Sequence, residues 1–214
     1  MKTPEVRIYF SWLLYENVSV KLHEALAAEG EVLISQKVAE EYAANYRHEW
    51  AKYDNKILLA LVEIMGMEFY QSVIDVPCAP WVRSMSNPLT MGYKYFPNQF
   101  VDILMHELCH VLLTDNTMYS MKSSKDIKPL LGDRWKKLFG EEYNFTAAVH
   151  IPVHALSKYI YLDVLEEPER LERDIEHIQN NPPYVAAWDY VQAHDYHEII
   201  DQLKADYKAL AGEG

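Results

Sequence analysis

Apolar positions recur with helical spacing from Val18 to about Ala28 and again from Gln36 to about Gly66, in stretches dominated by Ala, Glu, Lys, Leu and Tyr. Both predict amphipathic helices, and the second is long enough that a bend or break is expected near Asp54-Asn55. The pattern changes at 67–76, MEFYQSVIDV, where Phe69, Val73, Ile74 and Val76 favour extended backbone and VPCAP closes a strand. Asn87-Pro88 predicts a turn, and Thr90 to Phe96 a second short strand. A helix then runs from an N-cap at Asn98 to about Thr114, where Asp115-Asn116 stops it. Residues 118–140 read as a loop followed by a short helix around Pro129 to Phe139. Helical patterns return from Ile151, with Pro152 in a first turn where its missing N–H costs little, then over 167–178 and 183–210.

These elements predict an α+β fold, mostly helical, with a short sheet beside helix 98–114. No repeat of 20–50 residues and no Gly/Ser- or Pro-rich linker divides the chain, so one domain is expected over 1–214. It would comprise a helical part (1–66), strands and a central helix (67–116) and a helical C-terminal part (117–214).

Half of the 214 residues are hydrophobic, enough to bury a sizeable core and to exclude disorder as the main state. The formal charge of -12 repels phosphate backbones and argues against nucleic acid as the main partner. Cys78 and Cys109 cannot form a disulfide framework, and no Cys-x-x-Cys pair exists, which fits a reducing compartment. The apolar run IYFSWLLY at 8–15 is preceded by Glu5, diluted by aromatics and ended by Glu16, so it does not read as a secretory signal. Apolar runs fall short of the roughly 18 residues of a membrane helix. A cytoplasmic protein with no membrane partner is expected.

Between Phe100 and Leu113 the strongly polar residues are Asp102, His106, Glu107 and His110. A helix apolar nearly all round is expected to be buried, and buried ionisable groups need partners that replace their hydration. His106 and His110, four residues apart, share a helix face and can bind one ion through two nitrogens. Glu107 then reaches a water on that ion and can act as general base, passing the proton later to the leaving amine. The alternative is a trio that satisfies itself or the backbone without metal. Three titratable groups within five residues of a core helix are costly without a function, which favours the metal.

HELCH (106–110), in an apolar helix directly after a short strand, resembles the active-site helix and upper strand of zincin metallopeptidases, specifically over about residues 86–116. The resemblance implies a minimal zincin-like domain, a Zn2+ cofactor, a hydrolase acting on a protein or peptide substrate, and a third protein ligand from elsewhere. In the metzincin branch that ligand lies six residues after the second histidine, with Gly at the third. Here those positions are Asn116 and Leu113, so the pattern does not match. Gluzincins and the small SprT-like proteases resemble the chain better, taking the ligand from a later segment, a Glu in the former and a His in the latter. His150 and His154, in VHIPVHAL, stand about 40 residues downstream. His154 is favoured as ligand, with His150 as ligand or as its support.

Asp163, Glu166 and Asp115 are carboxylate alternatives, and Asp163 or Asp115 could instead orient a ligand imidazole. Tyr159 or Tyr161 could place a phenol near the metal, although in a chain with 16 tyrosines packing is the commoner role. His194 and His197 fit a solvated helix end, and Cys109 a small core residue. A Cys78 thiolate capping the zinc carries little weight. SprT-like proteases associate with DNA, but the basic segment with Lys122, Lys125, Lys128, Arg134, Lys136 and Lys137 reads as a solvated loop. The competing functional reading is a non-catalytic zinc-binding regulatory or interaction module.

Overall fold

A computed structural model describes residues 2–19, 34–92, 96–120 and 127–212, with side chains described except at 19, 115–120, 127–131, 211 and 212. The elements are β1 (Glu5–Phe10), α1 (Gln36–Trp50), α2 (Asp54–Met65), β2 (Val73–Ala79), β3 (Met85–Ser86), β4 (Leu89–Gly92), α3 (Pro97–Ser120), α4 (Ile127–Phe139), α5 (Phe145–Tyr159), α6 (Pro168–His177), α7 (Pro182–Ala193) and α8 (Tyr196–Gly212). The fold is α+β and mostly helical, as the patterning predicts. No helix among the described residues is long and apolar enough to cross a membrane. The chain forms two compact units, one of Thr3–Asn55 and Gln71–Leu108, the other of Met1–Lys2, Lys56–Tyr70 and Cys109–Gly214.

The first unit holds a four-stranded sheet in the order β1-β2-β4-β3. β1 and β2 are parallel, with Glu5 opposite Val73 and Phe10 opposite Cys78; β4 continues parallel to β2 at Cys78 and Ala79. β3 and β4 form an antiparallel hairpin around a cis Asn87-Pro88 peptide. β1 occupies the N-terminal apolar stretch, where no strand was expected. Val6, Ile8 and Phe10 alternate with more exposed Glu5, Arg7 and Tyr9, the period of a half-buried strand. β2 lies further along than 67–76, because its ladder with β1 starts at Val73 and VPCAP belongs to the strand instead of closing it. Pro77 is tolerated there because β4 reaches β2 only beyond it, leaving one side open. Ala39, Ala43, Tyr46 and Trp50 form one buried face of α1, which packs on β1. Tyr46 stacks on Phe100 of α3 with ring centroids 4.0 Å apart. The expected break in the long N-terminal helix falls at residues 51–53, between α1 and α2.

The helix expected from Val18 lies mostly outside the described residues, and Tyr15–Ser19 form a short π-turn. Residues 93–95 of the second strand, and Lys122 and Lys125, also lie outside them.

In the second unit α5 is central, packing against α4, α7 and α8. It starts at Asn144, whose side chain accepts the N–H of Ala147 at 2.9 Å. Pro152 therefore sits inside the helix, not in its first turn as expected, and removes one backbone hydrogen bond. The Asn144 cap and the packing of α5 outweigh that loss. The helix expected over 183–210 is two helices. α7 ends at Ala193, and the Asp195 carboxylate accepts the His197 N–H at 2.9 Å, an N-cap contact that starts α8.

Candidate metal centre

α3 buries Phe100, Leu104, Leu108 and Leu112 along its length, so its polar groups stand in apolar surroundings. His106 and His110 are half-buried and Glu107 is buried. α5 contributes buried His150. Ring nitrogens of His106, His110 and His150 all lie within 4.8 Å of one another, an arrangement that could hold a metal ion. His110 Nε2 and His150 Nε2 are 3.3 Å apart. Two nitrogens at the corners of a tetrahedron with bonds of about 2.0–2.1 Å are separated by about 3.3–3.4 Å, so this pair already has the spacing one ion imposes.

His150 Nδ1 is 2.6 Å from the Thr146 carbonyl oxygen. A carbonyl only accepts, so Nδ1 carries the hydrogen and Nε2 keeps its lone pair facing His110. Burial, reinforced by the charge of His150, pushes His110 down to about 3. Burial takes His150 down to about 4, with the Thr146 hydrogen bond working against it. Both imidazoles are thus neutral near pH 7, the form that coordinates metal. Burial pushes the Glu107 carboxyl up to about 7, with the positive charge of Arg83 acting the other way.

Of the two histidines expected from the later helix, His150 stands with His106 and His110. His154 is one turn further along α5, fully buried, with its ring stacked on Trp188 at 4.4 Å and 12°. Burial lowers it well below the ordinary histidine value. Tyr184 lies against His150 with ring centroids 3.9 Å apart. Tyr184 and Trp188, four apart on α7, thus support His150 and His154. Sequence reasoning did not single them out. Their spacing was visible, but nothing local pairs it with VHIPVHAL. Arg83, in the loop after β2, was missed because nothing in the sequence ties it to Glu107.

Asp163 accepts a hydrogen bond from Tyr196 at 2.9 Å and lies 3.0 Å from His197, a separate surface cluster. The Tyr161 hydroxyl donates to Asp174 at 3.1 Å, and Tyr159 packs edge-on to His197. His194 stacks on Tyr190. Glu166 adopts a left-handed backbone conformation after the π-turn Ile160–Val164, and the side chain of Asp115 lies outside the described residues. Cys109 is fully buried in the core. Cys78 is buried too, its thiol donates to the Val76 carbonyl, and burial pushes it up to about 12, against a role as a thiolate. Arg134 of the basic segment pairs with Asp206 at 2.6 Å.

Comparison of the chain with family models, with curated proteins and with solved structures finds no match in any of the three.

Proposed function

We propose that the protein is a zinc-dependent metallopeptidase in which His106, His110 and His150 hold the ion and Glu107 is the general base. The observation that carries this reading is the convergence of three imidazole nitrogens beside Glu107. An all-imidazole set suits zinc, as it does copper, iron and nickel, and three protein ligands are the number a catalytic zinc takes while keeping one position open. When bound, zinc supplies Lewis acidity and brings water to nucleophilic strength near neutral pH.

The chain's own residues do the rest. His150, with its Nδ1 hydrogen on the Thr146 carbonyl, turns the lone pair of Nε2 into the site. Tyr184 and Trp188 keep α5 in place behind it. Glu107, one residue from the first ligand, takes the proton from the attacking water and returns it to the leaving amine.

Glu107→Gln tests the mechanism. It should retain zinc and lower hydrolysis of a fluorogenic peptide library by at least about 100-fold, the low end for a general base. Full hydrolysis by the variant would overturn the role of Glu107. Zinc uptake without hydrolysis by the wild type would favour the non-catalytic module instead. In that case chelation should unfold the protein, because structural zinc contributes folding energy outright.

A further inference from the structure

We propose that Tyr143 and Tyr190, with Glu142 and Asp189 at their rim, form a docking site for a cationic side chain, and that it receives a lysine- or arginine-bearing segment of another polypeptide. The site is separate from the histidine cluster, and the proposal does not depend on the metallopeptidase reading.

Two segments of the second unit assemble it. α4 ends at Phe139, and the turn behind it closes with the Gly140 N–H donating to the Lys136 carbonyl at 2.8 Å and the Tyr143 N–H to the Gly140 carbonyl at 3.3 Å. Gly140 has φ 143, and a Cβ there would stand 2.7 Å from both oxygens of Glu142. The absence of that Cβ lets the Glu142 carboxylate lie against the turn, next to Phe139. α7 supplies Asp189 and Tyr190. The Tyr190 ring meets Tyr143 with centroids 5.8 Å apart at 88°, and buried Phe139 at 5.8 Å and 69°. His194 stacks on Tyr190 at 4.1 Å, its Nδ1–H donating to the Tyr190 carbonyl at 2.8 Å. Phe139 and His194 thus hold the Tyr190 ring in place beside Tyr143.

Two rings at a right angle leave a corner in which one cation lies against a face of each, and the negative ring faces attract it. Tyr143 and Tyr190 are half-buried, while Glu142 and Asp189 are exposed. Burial, followed by the charges of Glu142 and Asp189, pushes the Tyr143 phenol above its ordinary value. Those same charges add to the attraction of the corner for a cation. Among the described residues no lysine or arginine pairs with Glu142 or Asp189, and the lysine that does lie over a ring, Lys158, lies over Tyr196. The corner is therefore left for a cation from outside. A second copy of a chain of net charge -12, or a phosphate backbone, meets repulsion here, whereas a basic polypeptide segment is attracted. An arginine can lay its plane on a ring while its fork binds one of the carboxylates.

The test is calorimetric titration of the untagged full chain with N-acetylated, C-terminally amidated pentapeptides that carry several Arg, several Lys or several Gln. The Arg and Lys peptides should bind about tenfold or more tighter than the Gln peptide. Tyr190→Leu should weaken them about threefold or more, and Tyr190→Phe, which keeps the ring, should bind as the wild type does. Glu142→Gln with Asp189→Asn should remove most of the preference. That paired variant leaves the ring packing intact, so it tests the site even where Tyr190→Leu disturbs α7. Glu40→Gln with Glu41→Gln makes the same charge change on exposed residues of α1 and should have no effect. Equal binding of all three peptides overturns the proposal. So does a preference that survives Tyr190→Leu in folded protein, or one that falls as far in the α1 control as in the paired variant.

Discussion

Two histidines one turn apart on α5 meet different surroundings and should answer differently to substitution. His150 shares its nitrogen geometry with His106 and His110, so His150→Ala should weaken zinc binding by more than about 100-fold, beyond the loss typical of residues behind a ligand. His154 stacks on Trp188 and is fully buried. His154→Ala should keep zinc and lose about 2–4 kcal/mol of stability, as buried large-to-small changes do, read by denaturant titration. Zinc loss in the His154 variant, or none in the His150 variant, would reverse the assignment. The HELCH trio was legible in the sequence because i, i+4 geometry is local. The choice between His150 and His154 was not, because it depends on the phase of α5 relative to α3. Placing the helix start at Ile151 instead of Asn144 obscured that phase, and Pro152 encouraged the error.

At the level of elements, loop 80–84 and strand β4 depend on a single missing side chain. Gly92→Ala puts a methyl group against the Val82 carbonyl and should cost about 1–3 kcal/mol, the usual range for overpacking. No change in thermal stability would mean that the loop is not held there. The existence of the α3 and α4 helices and of the break after α1 was legible from apolar spacing, but the bounds of α3 were not: it runs from Pro97 to Ser120, so Asn98 lies inside it and Asp115-Asn116 do not stop it. β1 escaped notice although Val6, Ile8 and Phe10 alternate correctly, because six residues of alternation in an aromatic-rich run compete with other readings. The extent of β2 was not legible, since its parallel partners lie 68 residues before it (Glu5 to Val73) and 13 after (Cys78 to Met91), and pairing at that distance leaves no local trace.

For the whole molecule, the buried histidines set the response to acid. His110 and His150 titrate at about 3 and about 4 when folded, against 6.5 when exposed, and His154 is also lowered. Below pH 6.5 the unfolded chain takes up protons at these sites that the folded chain refuses, so stability is fully present above 6.5 and is lost as pH falls. Glu107, raised from 4.5 to about 7, has the opposite sign, losing stability as pH rises through that window, but one group opposes three. The melting temperature of metal-free protein should therefore fall between pH 7 and pH 5; a rise would contradict the burial of these imidazoles. Zinc at 100 times its Kd should add about 2.7 kcal/mol. The α+β class and the helical majority followed from patterning alone, because periodicity reports which face is buried without needing to know against what. Whether one ion is held by His106, His110 and His150 is tested by metal content, measured by mass spectrometry on untagged protein and its His150→Ala variant. Close to one zinc per chain is expected in the wild type and almost none in the variant. A wild type that takes up no zinc, or a variant that keeps it, would contradict a site built on these three histidines.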